Sequence, residues 1–208
     1  MKDKETPHIE VRAVLVGDAP ALYELDSNFE TDHIYTLRVQ DRLKHHGSHV
    51  SGGEQSVFAV ELVETLVDPP IYKNFREHGL TLEETQAKLR YAEGGYVALA
   101  NGQIAGGILL KVETKRSVAA IEAIVVGHQF RRYGIGSLLL SCASDWAREH
   151  DCWALQLETQ GTNYPAIQFY LRNGLEIWCI CPHFYPPGPL GHEISILMGK
   201  RFSLASEQ

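Results

Sequence analysis

An apolar strand runs into Gln129-Phe130-Arg131-Arg132-Tyr133-Gly134-Ile135-Gly136-Ser137 and an amphipathic helix leaves it, which limits the fold more than any other stretch of the chain. Residues 119–126, Ala-Ala-Ile-Glu-Ala-Ile-Val-Val, read as a largely buried strand. Leu139, Cys142, Ala143 and Trp146 then recur at i, i+3, i+4 and i+7, one face of a helix. The turn between them suits an anion. Gly134 and Gly136 let backbone amides turn toward a ligand, and a helix start aims its N–H groups and the positive end of its dipole the same way. Arg131 and Arg132 add forked donors for phosphate oxygens.

The spacing narrows the ligand. There is no G-x-x-x-x-G-K-[ST], hence no P-loop lysine or magnesium-binding hydroxyl, and no G-x-G-x-x-G of a dinucleotide fold. What stands is Arg131-x-x-Gly134-x-Gly136, which alone also describes a strand-to-helix turn that binds nothing. A second feature lies downstream. Residues 152–159 alternate as a strand, with Trp153, Leu155 and Leu157 on one face, and Gly161-Thr162-Asn163 breaks it. Asn163-Tyr164-Pro165-Ala166-Ile167-Gln168-Phe169-Tyr170 opens a short helix that Gly174 can close, with Pro165 in the first turn, where its missing N–H is harmless. Asn163, Ala166 and Tyr170 share one face of that helix.

The first run resembles the pyrophosphate signature R/Q-x-x-G-x-G/A of the GNAT superfamily of N-acetyltransferases, and Asn163-x-x-Ala166-x-x-Phe169-Tyr170 resembles its second signature, N-x-x-A-x-x-F-Y. Within the superfamily, Leu157-Glu158-Thr159-Gln160 with Asn163 and Phe169-Tyr170 is similar to streptothricin acetyltransferases. So are Ile121-Glu122-Ala123-Ile124-Val125-Val126, His183-Phe184-Tyr185 and the stretch from Glu193 to Phe202. The resemblance covers about residues 95–202 and is clear in the cofactor half alone; it is not traced through residues 27–92, where acceptor specificity is expected. It implies an α/β (α+β) GNAT fold, one domain with a mixed central sheet flanked by helices. Residues 1–92 would hold an N-terminal strand, helices and the acceptor region, 93–202 the acetyl-coenzyme A core, and 203–208 a tail.

The resemblance also implies roles. Acetyl-coenzyme A is the expected cosubstrate, with its pyrophosphate on Arg131, Arg132, Tyr133, Gly134, Ile135, Gly136 and Ser137. Its pantetheine arm is expected beside Ile124, Val125 and Val126, within reach of Asn163 and Tyr170. The acetyl group would pass directly to a primary amine in a ternary complex. A lysine-like amine with pKa ~10.4 is neutral in about one molecule in two thousand at pH 7, so some group must take its proton. Glu122 resembles the carboxylate that many members use for this, and Glu158 on the next strand competes with it; either can instead order water or bind a cationic acceptor. Tyr170 is the expected acid for the leaving thiolate. For the acceptor, Tyr35 and Asp32, with Asp26 and Glu30, form an acidic-aromatic cluster that can hold a cation. Tyr185 belongs to a Pro-rich loop, 182–189, whose aromatics can wall a pocket. Three readings stay open: a small-molecule amine acetyltransferase of the streptothricin-acetyltransferase type, a protein N-terminal or lysine acetyltransferase, and a coenzyme A-binding module without turnover.

Composition enters as exclusions. No apolar run in the 208 residues approaches the ~18 needed to span a bilayer, and no signal-peptide core follows Met1, so a cytoplasmic chain without a membrane partner is expected. A net charge of -7 argues against a nucleic-acid partner and suits a cationic acceptor. Cys142, Cys152, Cys179 and Cys181 make neither a disulfide framework nor a zinc site. His45, His46 and His49 lie in a Gly/Ser-rich stretch, 40–56, without supporting ligands, so a solvated loop and no metal are expected. A homodimer stays open.

The remaining elements read as a strand over 8–14 and a helix over 18–25 capped by Gly17-Asp18. An added strand over 58–66 is ended by Pro69-Pro70, and the capping box Thr81-Leu82-Glu83-Glu84 starts a helix to about Tyr91, with Gly94-Gly95 as its stop. A hairpin of 96–100 and 103–112 turns at Asn101-Gly102, and Phe202 onward reads as a frayed tail.

Overall fold

The computed structural model describes residues 6–41, 58–76, 81–188 and 190–202; His45, His46 and His49 lie outside them. Along the chain come β1 (Ile9–Ala13), α1 (Ala19–Glu24), β2 (Phe29–Asp41), β3 (Phe58–Lys73) and α2 (Leu82–Tyr91). β4 (Gly94–Ala100), β5 (Gln103–Glu113), β6 (Val118–Val126), α3 (Ile135–Glu149) and β7 (Ala154–Gln160) follow. α4 (Tyr164–Arg172), β8 (Glu176–Cys181) and β9 (Ser195–Arg201) complete the order. Seven strands form one sheet in the order β1-β4-β5-β6-β7-β9-β8. Only β6 and β7 pair in parallel, so the sheet is mixed, as expected.

Alternation along β4 and β5 feeds two cores. Val97 and Leu109 join Ala19, Leu22, Leu25 and Leu89 under α1 and α2. Ala98, Ala100, Ile108 and Leu110 face the other way, against Leu139, Ala143 and Trp146 of α3 and Ile167 of α4. Each helix thus lays its apolar stripe on one face of the sheet. The local signals act as read. Asn101 (φ 50) and Gly102 (φ 82) form the left-handed pair of a hairpin turn. Thr81 Oγ1 accepts from the Glu84 amide at 3.1 Å while Glu84 Oε2 accepts from the Thr81 amide at 3.0 Å. Gly174 (φ 80) follows α4. Asp18, by contrast, does not cap α1 forward. Its carboxylate accepts two bonds from Arg12, at 2.7 and 2.8 Å, and one from the Leu15 amide at 2.8 Å. The Arg12 hydrogen bonds, aided by Leu15, hold its pKa below the usual carboxylate range against the opposing effect of burial.

The largest departure from expectation lies between α1 and α2, where β2 and β3 form a separate antiparallel ribbon. Glu30, Asp32 and Tyr35 of the expected acidic-aromatic cluster stand on β2. β3 does not stop at its prolines either. Pairing runs from Thr31↔Ile71 to His33↔Leu66, so residues 67–70 bulge out opposite Asp32 and Pro69 and Pro70 owe no ladder bond. Phe202 is no tail: its amide donates to the Trp153 carbonyl at 2.9 Å and its ring lies under Arg148 at 4.5 Å. Trp153 itself precedes β7 and stacks on Trp178 rather than joining Leu155 and Leu157 in the core.

Candidate active site

The parallel pairing of β6 with β7 is brief. It covers Val118↔Ala154, Ala119↔Leu155 and Ala120↔Gln156 and then ends, after which β7 pairs only with β9 and β6 only with β5. The strands splay. Residues 121–126 therefore present an open strand edge, the kind of backbone row that an extended ligand can pair with. A second irregularity lies in the same stretch. Leu109 pairs Ala123 while Leu110 pairs Ile121, so Glu122 is the extra residue of a β-bulge, a device that re-aims a side chain. Two cavities flank the gap, one reaching Ile124 and the other Glu122.

The larger cavity, about 1100 Å³, is lined by Ile124, Val125 and Val126 of β6, by the turn before α3, and by one side of α4. Its floor is a row of unused donors. The amides from Arg132 to Ser137 find no acceptor among the described residues, the first intrahelical bond being Leu138 N–H to the Gly134 carbonyl at 3.0 Å. The two glycines serve differently. Gly134 takes φ 78, which turns the chain into the helix, whereas a Cβ on Gly136 would come within 2.8 Å of the Phe169 ring, so its smallness lets α3 and α4 meet. Tyr133 does not line the cavity; its ring packs against the core. The arginines also divide. Arg132 is exposed at the cavity wall, while half-buried Arg131 donates to the carbonyls of Val126 (Nε, 3.3 Å) and Ser27 (2.9 Å). Burial lowers the Arg131 pKa, with Asp26 opposing.

α4 brings Asn163 and Tyr170 to the same cavity. Asn163 caps the helix with its carbonyl, which the amides of Ala166 and Ile167 reach at 3.1 Å, and its side chain makes no capping bond. Tyr170 is 7% exposed and its hydroxyl finds no hydrogen-bond partner among the described residues. Burial pushes its pKa up, so the phenol stays protonated.

The smaller cavity, about 430 Å³, is lined by the carboxylates Glu113, Glu122 and Glu158, with Gln156, Cys179 and Phe184 among the other walls. Its one lining guanidinium, Arg116, is bonded to Glu113. Gln156 also donates to Glu113, at 2.6 Å. Glu122 makes no hydrogen bond or ion pair among the described residues, whereas Glu158 Oε1 accepts from the Tyr185 hydroxyl at 2.5 Å. Burial and that bond both raise the Tyr185 pKa.

The predicted acceptor cluster does not assemble. Tyr35 lines neither cavity: it packs on Tyr164 (ring centroids 5.4 Å apart), and its hydroxyl accepts from Gln168 at 2.9 Å. Asp32 and Glu30 line the larger cavity, on the opposite side of the gap from Glu122, and Asp32 is bonded to His33 at 2.7 Å. Asp26 caps the Asn28 amide. The four cysteines are free thiols, and the described residues hold no group of three or more metal-ligating side chains and no helix long and apolar enough to cross a membrane.

Residues 60–175 match the model of the acetyltransferase (GNAT) family. The chain belongs to that family. It is an acyl-coenzyme A-dependent N-acetyltransferase that uses acetyl-coenzyme A as cosubstrate. It is 32% identical to the streptothricin acetyltransferase of Streptomyces lavendulae over 79% of this chain and 80% of that protein. Among solved structures, a nourseothricin acetyltransferase superposes with a TM-score of 0.73 at 25% identity, covering 93% of this chain and 98% of its own. A Bacillus anthracis str. Ames protein assigned as a streptothricin acetyltransferase, in complex with acetyl coenzyme A, superposes with a TM-score of 0.71 at 25% identity, covering 94% and 99%. A row of free amides at a helix start suits an anionic ligand.

Proposed function

We propose that the protein acetylates a primary amine on a small cationic molecule, with a streptothricin-type antibiotic as the first acceptor to test, and that the acceptor enters the smaller cavity. The acidic lining of that cavity, across the gap from the anion cradle, carries this reading. Three carboxylates answered by one engaged guanidinium favour an ammonium ion. A cavity of about 430 Å³ suits a small molecule.

On this reading the larger cavity takes the cosubstrate. The amides of residues 132–137 and the Arg132 guanidinium bind its pyrophosphate, and the open edge at 124–126, with Asn163, guides its arm to the gap. Acetyl-coenzyme A supplies an activated thioester when bound, so no covalent nucleophile is asked of the chain. Glu122, aimed by its bulge and free of partners, takes the amine's proton directly or through water. Glu158, one oxygen held by Tyr185, binds and orients the ammonium. Tyr170 Oη keeps its proton for the departing sulfur.

The test is thiol release with streptothricin as acceptor, in wild type and Glu122→Gln. Wild-type turnover is expected, with kcat/KM in the variant lower by about 10²–10³-fold and acetyl-coenzyme A affinity by calorimetry unchanged. Full activity in Glu122→Gln would remove it as base and turn attention to Glu158.

A further inference from the structure

Lys73 ends β3 and Glu193 precedes β9, and both are almost fully buried, at 5% and 4% exposed. Lysine and glutamate at the ends of strands ordinarily stay in water. Here they form an ion pair at 2.7 Å, 120 positions apart in the chain. Lys73 also donates to Thr162 Oγ1 at 3.0 Å and to Gln160 Oε1, and Thr162 donates to Glu193 Oε1 at 2.6 Å. Glu193 Oε2 is buried and has no hydrogen-bond partner among the described residues, so this carboxylate is held through one oxygen. A buried ion pair is poor evidence of stabilisation, because desolvation offsets the attraction, and its persistence calls for another explanation.

The connectivity supplies one. Glu193 closes the segment that leaves β8 at Pro182 and lies against the smaller cavity, where Phe184 forms part of the wall and Tyr185 bonds Glu158 at 2.5 Å. The segment is stiffened by Pro182, Pro186 and Pro187 and by backbone bonds Gly191 to Gly188 (3.0 Å) and Glu193 to Leu190 (2.9 Å). It is fastened at two points: Tyr185 on Glu158, and Glu193 on Lys73 of the ribbon. Next to the second, the amide of Tyr35 donates to Gly161 O (2.9 Å) and that of Gly161 to Ile194 O (3.0 Å), linking ribbon, β7 and strap.

We propose that Lys73 and Glu193 are acceptor-positioning residues: their buried pair clasps the strap between β8 and β9 to the ribbon and so sets how the smaller cavity holds its amine. This rests on that cavity being the acceptor site. Neither residue lines either cavity, and the strap they fasten contributes a wall residue to the smaller one alone, through Phe184, so loosening the strap should act on that side.

The experiment measures Lys73→Met for streptothricin KM, kcat, acetyl-coenzyme A affinity, and hydrogen exchange of the strap. The expected result is a KM raised by about tenfold with kcat and cosubstrate affinity nearly unchanged, and faster exchange in the strap but not in α3. Lys73→Met/Glu193→Leu leaves no unpaired buried ion and is measured alongside, so that a single variant that fails to fold does not end the test. A folded variant with unchanged KM and strap exchange would overturn the proposal, as would equal losses on both substrates. If wild type does not acetylate streptothricin, the acceptor reading fails by itself and the exchange data still decide whether the clasp exists.

Discussion

The two cavities open on either side of one gap between β6 and β7, and they are assembled from the chain in different ways. The proposed anion cradle is one contiguous turn, residues 132–137, with free backbone N–H groups, and a single helix, α4, brings Asn163 and Tyr170 to the same cavity. The smaller cavity takes Glu113 from β5, Glu122 from β6, Glu158 from β7, Cys179 from β8 and Phe184 from the strap, and its wall is tied to the ribbon by a contact 120 positions long. A site made of backbone needs glycines and a helix start at fixed spacing. A site made of side chains from distant strands needs only that each strand carry the right residue, and leaves no local pattern. Binding of a shared cosubstrate and choice of acceptor can therefore vary independently on one fold.

The difference can be tested where the cavities meet. Tyr170 belongs to the contiguous side, and if it acts at the gap as proposed, Tyr170→Phe should lower kcat while leaving acetyl-coenzyme A affinity nearly intact. The expected loss is about tenfold to a hundredfold, at or below the usual range for a proton donor, because a thiol with pKa near ~8.5 leaves with little help. Single-turnover kinetics beside calorimetry would check it. An unchanged rate would make Tyr170 a core aromatic and leave the acid unassigned.

Legibility from the sequence follows the same division. The hairpin at Asn101-Gly102, the Thr81 capping box and the strand-turn-helix of β6 and α3 are local devices, and each forms where its residues stand. The ribbon was hidden. Tyr35-Thr36-Leu37-Arg38-Val39-Gln40 does alternate apolar and polar as a strand should, but the acidic residues before it read as a cation-holding cluster and Pro69-Pro70 read as an end. A bulge opposite Asp32 accommodates the prolines, and a bulge appears only once pairing is known. Of the candidate side chains, Glu122 and Glu158 do come to one cavity, while Tyr35 is absorbed in packing the ribbon onto α4. Lys73 and Glu193 carried no signal at all: a charged residue at a strand end looks solvated until its distant partner is found.

A smaller effect separates the two arginines of the cradle. Exposed Arg132 can meet phosphate only as a screened charge, so Arg132→Ala should weaken acetyl-coenzyme A binding by about threefold to tenfold at low salt, and the loss should fade as salt rises. Arg131 holds the carbonyls of Val126 and Ser27, so the damage from Arg131→Ala should persist at high salt. Calorimetric titrations at two ionic strengths distinguish them. The same salt dependence for both would mean that Arg131 also acts as a free charge, and unchanged affinity in Arg132→Ala would remove it from the phosphate site.

The smallest expected effect on activity is at Asp18, which lies in neither cavity and so provides a control for the comparison. Its carboxylate is held charged by Arg12, with its pKa below the ordinary 3.8. A group whose pKa is depressed on folding adds stability above its unfolded pKa, and that contribution disappears as pH falls through the folded value. Asp18→Asn should therefore cost about 1–2 kcal/mol in urea unfolding at pH 7, with the gap to wild type closing below pH 3.8. Acetyl-coenzyme A affinity and acceptor KM should not move. A gap that persists at low pH would assign the loss to packing rather than to the ion pair, and a shift in either substrate constant would mean that α1 is coupled to the site through a route the hydrogen bonds of Asp18 do not reveal.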